Sequence, residues 1–177
     1  MIKINLGCGK RNFGKDWIHI DGNNFKHIDH NNIINFPYKN VDLIYASHVI
    51  SYFDQYEIVE ILIKWKKKLK KNGILRLAVP DFDKITKLYK KKFPMKNFIG
   101  PLYGRMFVKK KGLIYHKIIY DKKSLTNLLI SCGFRKIKYW DYKKVDHGIF
   151  DDHSQAFLPH MDKKKGTLIS LNLECIK

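Results

Sequence analysis

Cysteine, arginine and acidic residues are scarce in this chain of 177 residues, and each shortage excludes something. The three cysteines, Cys8, Cys132 and Cys175, are far apart and form no Cys-x-x-Cys pair. That excludes a disulfide framework and fits a reducing compartment. His147, His153 and His160, with Asp151 and Asp152, match no compact metal-ligand spacing and have no cysteine among them, so no metal is expected. No apolar run is long enough to span a membrane and no signal peptide precedes the first strand-like segment, so a cytoplasmic location is expected. No Gly-Lys-Ser/Thr sequence is present to form a phosphate-cradling loop. Arginine occurs only at Arg11, Arg76, Arg105 and Arg135, so the net charge of +19 is nearly all lysine. Arginine is the residue suited to bidentate phosphate and base contacts. Charge therefore makes a nucleic-acid partner admissible without making it the first expectation. The lysine runs fall at expected helix ends and loops, and the abundance of Lys, Asn and Ile is also what an A+T-rich genome produces.

What is present is a globular composition: 45% hydrophobic and 14% aromatic residues, enough for one domain over 1–177 with a substantial core. Strand and helix signals alternate, which implies α/β layers. Strands are expected near 2–6, 17–21, weakly 26–29, then 41–46, 74–79, 134–142 and 167–176. Asp54 to Leu69 reads as a helix capped by Asp54 with Glu57 and stopped by Asn72-Gly73. Two further helices start at Asp81 or Asp83 and at Asp121 or Ser124. The polar segment 10–16 is too short for a long first helix. Pro94, Gly100, Pro101, Gly104 and Gly112 mark 94–116 as an insertion or lid.

The most informative feature is Ile2–Gly9, an apolar strand running into Gly7-Cys8-Gly9, followed by Trp17–Gly22 with Asp21 at its tip. Such a turn brings bare backbone to a ligand, and a carboxylate on the next strand can take a ribose diol. A dinucleotide fingerprint would need a third glycine where Asn12 stands, and an acid further on than Asp21. A nucleoside cofactor without phosphates fits better, and S-adenosylmethionine is the candidate.

Asn5–Gly9, Trp17–Gly22, Phe36-Pro37, Val41–Val49, Gly73–Phe82 and Asp151–Lys177 together resemble the class I S-adenosylmethionine-dependent methyltransferases, in particular a small type 11-like branch often associated with surface glycans. The resemblance implies a single Rossmann-like domain with a mostly parallel sheet, an antiparallel C-terminal strand, a shortened first helix and a lid. It implies that Gly7, Cys8 and Gly9 pass the methionine half of the cofactor and that Asp21, with Gly22, takes the ribose. It places Asp29 near the adenine, and Ala46 and Ser47 beside the sulfonium. His48 and His116 are the candidates for a base or acceptor contact, since histidine titrates in the useful range. Asp151, Asp152, Ser154 and His160 belong to a polar loop assigned to the acceptor, although Asp and Ser there could equally serve only as turn formers. The family often has Glu-His where this chain has Ser51-Tyr52. The implied activity is methyl transfer to a small-molecule, nucleotide-sugar or glycan acceptor, with a hydroxyl as the expected methyl-accepting group. An RNA-modifying enzyme and a non-catalytic scaffold subunit are the alternatives. The sequence is silent on oligomeric state.

Overall fold

The computed structural model describes residues 1–23, 26–27, 32–109 and 111–177. Among the described residues, ten strands form in chain order: β1 (Lys3–Leu6), β2 (Ile18–Ile20), β3 (Val41–Ser47), β4 (Leu69–Pro80), β5 (Met106–Val108), β6 (Gly112–Ile114), β7 (Arg135–Tyr139), β8 (Phe157–Leu158), β9 (Thr167–Leu168) and β10 (Ser170–Ile176). Four α-helices accompany them among the described residues: α1 (Glu57–Lys68), α2 (Phe82–Lys90), α3 (Lys96–Tyr103) and α4 (Lys122–Ser131). The main sheet has the order β2-β1-β3-β4-β10-β7. Its first four strands are parallel and β10 runs antiparallel to both neighbours.

Side chains alternate across a strand, so pairing partners share a face. One row of partners crosses the sheet as Ile20, Leu6, Ala46, Leu77, Leu173 and Tyr139. All but the edge residue Tyr139 are buried, and this face packs on Ile58, Ile61, Leu62 and Trp65 of α1 and on Leu125 and Leu129 of α4. The adjacent row, on the opposite face, is His19, Asn5, Tyr45, Arg76, Glu174 and Lys138. No helix covers it. Residues 7–17 and the 3-10 turns at Tyr142–Lys144 and Asp146–Ile149 lie there instead, with Phe13, Trp17, Trp140 and His147 packed on Tyr45 and Phe150 stacked on Phe13. The expected shortening of the first helix is thus complete: no helix joins β1 to β2.

His19, Tyr45, Arg76 and Glu174 of the polar row are hydrogen-bonded, as burial of such groups requires. Phe13 N–H donates to His19 Nε2 at 2.7 Å, and Tyr45 Oη–H donates to Asp152 Oδ2 at 2.5 Å. Arg76 donates twice to Glu174 Oε2, at 2.9 and 2.8 Å, and stacks on Trp140. Burial pushes the pKa of His147 down to about 3 with help from Arg76, and that of His19 down to about 4. Both rings are therefore neutral where they sit.

Element ends differ from expectation for identifiable reasons. Asp54 and Glu57 do form a reciprocal cap, Glu57 N–H to Asp54 Oδ1 at 2.9 Å and Asp54 N–H to Glu57 Oε2 at 3.0 Å. Asn72-Gly73, however, does not stop α1; the chain is already extended at Leu69, and the pair forms an irregularity inside β4. A Cβ on Gly73 would lie 2.8 Å from the Val41 carbonyl, so glycine is needed there for strand-to-strand approach. The expected strand at 167–176 is broken at Ile169: β9 pairs with β8, and only β10 joins the main sheet. The expected strand at 26–29 is a turn at 26–27; positions 28 and 29 lie outside the described residues. Asp81 caps α2, and Asp121 with Ser124 caps α4. The insertion at 94–116 consists of α3 and the β5–β6 hairpin.

Candidate active site

The C-terminal ends of β1, β2 and β3 open into one cavity of about 1760 Å³, roofed by α3 and the β5–β6 hairpin. That is more than a single drug-sized ligand needs, roughly 300–1,000 Å³. It lies where open α/β sheets bind ligands, beyond the carboxyl ends of the strands.

The turn after β1 sits in this cavity. Gly7 has φ +66°, and a Cβ there would meet the Val49 side chain at 2.4 Å; Gly9 has φ +57° and open space in front of it. Only glycine serves at Gly7, where both φ and space forbid a side chain. The turn is tied to β2 by Gly9 N–H donating to Asp21 Oδ2 at 2.8 Å, while Asn23 N–H donates to Asp21 Oδ1 at 2.8 Å. Each carboxylate oxygen retains a lone pair for a further donor. Cys8 is buried in the turn, and burial with the nearby Asp21 charge pushes its thiol up to about 12, so it is an inert spacer. The lid hairpin is fastened to the same loop. Asn23 Nδ2 donates to the Phe107 carbonyl at 3.3 Å, and Lys109 N–H to Asn23 Oδ1 at 2.9 Å. Val108 fills the space beside Gly22, 2.8 Å from where a Cβ would be.

Three histidines meet on the other side. His48 follows β3 with φ +53°, and its N–H donates to the Ala78 carbonyl at 2.8 Å. The left-handed region costs a non-glycine residue roughly 1–2 kcal/mol and persists where surroundings enforce it. The His48 ring lies 5.0 Å from that of His153 and 6.4 Å from that of His116. The Nε2 atoms of His48 and His116 are buried without a hydrogen-bond partner among the described residues. Burial, then the neighbouring His153, His116 and Arg11, hold His48 well below the ordinary histidine range; burial lowers His116 and His153 as well. All three are held neutral at pH 7 by burial, and His48 and His116 present an Nε2 with no hydrogen-bond partner among the described residues. His116 is seated under the lid: its Nδ1 is 3.2 Å from the Pro101 carbonyl, its ring packs on Tyr52, and Tyr52 Oη–H donates to the Gly104 carbonyl at 2.5 Å. A Cβ on Gly104 would strike the His116 ring.

Of the residues singled out from sequence, Gly7, Cys8, Gly9, Asp21 and Gly22 line the cavity, as do Ser47, His48, His116, Asp151, Asp152 and His160. Ala46 does not; its side chain is in the aliphatic core on the helix face. Ser154 is buried, outside the cavity wall, with its N–H donated to Asp152 Oδ1 at 2.8 Å. Asp152 directs its carboxylate to Tyr45 and Ser154 rather than outward. Asp151 pairs with Lys163 at 3.0 Å. Asp29 lies outside the described residues. Sequence reasoning gives His153 no role of its own within the loop assigned to the acceptor, and does not single out Tyr52 or Arg11, whose Nε donates to the Asp151 carbonyl at 2.9 Å. The available signal for His153 was the Asp-x-Ser spacing of a side-chain-capped turn, which faces the intervening residue away from the cap. Among the described residues no group of three His, Cys, Asp or Glu side chains is placed to hold a metal, and no helix is long and apolar enough to cross a membrane.

No protein-family model and no curated protein matches the chain. Solved structures do. A SAM-dependent methyltransferase from Archaeoglobus fulgidus superposes with a TM-score of 0.58 at 16% identity, over 99% of this chain and 85% of that one. A possible histamine N-methyltransferase from Thermotoga maritima gives 0.54 at 13%, over 99% and 82%. The 1,6-didemethyltoxoflavin-N1-methyltransferase of Burkholderia thailandensis, which holds that acceptor and S-adenosylhomocysteine, gives 0.57 at 11%, over 99% and 70%. The chain therefore has the Rossmann-like fold of the class I S-adenosylmethionine-dependent methyltransferases, with one antiparallel strand in a mostly parallel sheet.

Proposed function

We propose that this chain, acting as one domain, binds S-adenosylmethionine and transfers its methyl group to a hydroxyl of a small-molecule or glycan acceptor. The observation that carries the reading is the pairing of two halves in one cavity. The glycine turn with Asp21 lies on one side, and the partnerless Nε2 of His48 on the other. The residues fit the cofactor: the turn at Gly7 and Gly9 leaves backbone exposed to the cavity, and Asp21 keeps acceptor capacity for ribose hydroxyls. When bound, the sulfonium supplies an activated methyl group. The chain's own task is then to align the acceptor, exclude water and take a proton. His48 is assigned the proton, being neutral and unpartnered, and His116 orders the lid side and the acceptor. The lid, anchored to Asn23 and capped over His116, excludes water. Asp151 and His160, at the cavity wall, are assigned to acceptor contact.

Thermal melting with S-adenosylhomocysteine tests the cofactor half. Saturation at 100 times Kd adds about 2.7 kcal/mol, and a rise of several degrees is expected. Asp21→Ala abolishes that rise, whereas His48→Ala keeps it and loses turnover on a panel of hydroxylated acceptors. No rise at millimolar ligand would sink the proposal.

A further inference from the structure

Residues 84–120 contain eleven lysine and arginine side chains and no aspartate or glutamate. The imbalance extends to the surface. Lys87, Lys90, Lys91, Lys92, Lys96 and Arg105 are exposed and make no ion pair among the described residues. The same segment exposes large apolar side chains in a pattern that the cavity does not explain. Helix α3 has three sides. Phe98 and Leu102 pack on Ile85, Leu88 and Leu158. Lys96, Asn97, Gly100 and Pro101 line the cavity. Met95, Ile99 and Tyr103, spaced four residues apart, face neither, and are 54%, 50% and 58% exposed. Phe107, on the adjoining hairpin and outside the cavity wall, is 61% exposed, and Tyr89 at the end of α2 is 60% exposed.

We propose that this outer face of the lid docks on the surface of an anionic lipid bilayer. An apolar stripe bordered by cations is the composition of an interfacial element, in which side chains enter the headgroup boundary and lysines meet anionic lipid. Each lysine near such a surface contributes about 1 kcal/mol, so the cluster discriminates strongly between charged and neutral bilayers. The aliphatic members, Met95 and Ile99, and the preponderance of lysine over arginine favour lipid over nucleic acid, where arginine forks would be expected. A second copy of this face would bring cations against cations. The inference stands on the lid's surface and is independent of the methyl-transfer reading.

The test is sedimentation of the full chain with vesicles of phosphatidylcholine mixed with phosphatidylglycerol, against phosphatidylcholine alone, at physiological salt. Binding to the anionic vesicles is expected to be at least about tenfold tighter. Ile99→Ser with Phe107→Ser is expected to weaken it about tenfold, and leave the melting temperature unchanged, because neither side chain is in a core cluster. Lys90→Gln with Lys91→Gln and Lys92→Gln supplies an independent variant that alters charge alone, and should reduce the preference for anionic lipid. Equal binding to both vesicles, or none, overturns the proposal. So does a concentration-dependent dimer lost in the serine variant without lipid binding. Binding to a homopolymeric RNA that the serine variant leaves intact, with no vesicle binding, overturns it in favour of nucleic acid.

Discussion

Two neighbouring rows of the same sheet, one residue apart along every strand, have opposite chemistry. The row through Leu6, Ala46 and Leu77 is aliphatic and lies under helices α1 and α4. The row through Asn5, Tyr45 and Arg76 is polar and aromatic, and lies under loops. The first is held by non-directional burial, which tolerates reshaping. The second is held by directional bonds among groups that would each cost free energy if left alone. The same network reaches the site. Tyr45 holds Asp152, Asp152 caps the turn at His153–Gln155, and that turn sets His153 beside His48. One face supplies stability, and the other couples the sheet to the cavity wall.

The largest effect that would separate the two faces is on the helix side. Trp65 is fully buried and its Nε1–H donates to the Ile33 carbonyl at 2.8 Å. Trp65→Ala should cost about 3–5 kcal/mol in denaturant unfolding, while ligand-induced stabilisation of whatever folds is retained.

Acid should break the loop face next. His19 and His147 have folded-state values near 4 and 3, below the unfolded value of about 6.5. The unfolded state therefore binds the extra protons, and stability is lost as pH falls below about 6.5, down to about 3–4. Between pH 7 and 5 the loss should be about 2 kcal/mol for each ring, about 4 together. Melting curves across that range check it. A flat profile, or one that His147→Gln leaves unchanged, would contradict the burial of these rings as neutral groups.

The smallest change sharpens the comparison most. Tyr45→Phe removes one hydroxyl and keeps the ring stack on Phe13 and Trp140. It should cost about 2 kcal/mol, since the acceptor is a carboxylate. It should also lower turnover more than it weakens S-adenosylhomocysteine binding, because the loosened Asp152 turn carries His153. Equal effects of Tyr45→Phe and a helix-face substitution of matched cost would remove the distinction between the faces.

Much of this was legible in the chain. Local rules predicted the glycine turn, the reciprocal Asp54–Glu57 cap, the reduction of the first helix and the punctuated lid, because each depends on residues close in sequence. Asn72-Gly73 misled, since the glycine answers to Val41, a residue 32 positions away. The acidic loop could be read either as acceptor site or as turn former. The structure gives Asp152 and Ser154 hydrogen bonds of the second kind, and leaves Asp151 and His160 at the cavity wall.

The sequence by itself determined the order of elements, the ligand-side turn and which residues alternate, since these follow from backbone preferences and short-range periodicity. Only the tertiary structure decided that six polar residues from six strands form one row, and that His48, His116 and His153 share a cavity. Register and loop placement bring together residues more than 100 positions apart, and no local preference encodes that distance.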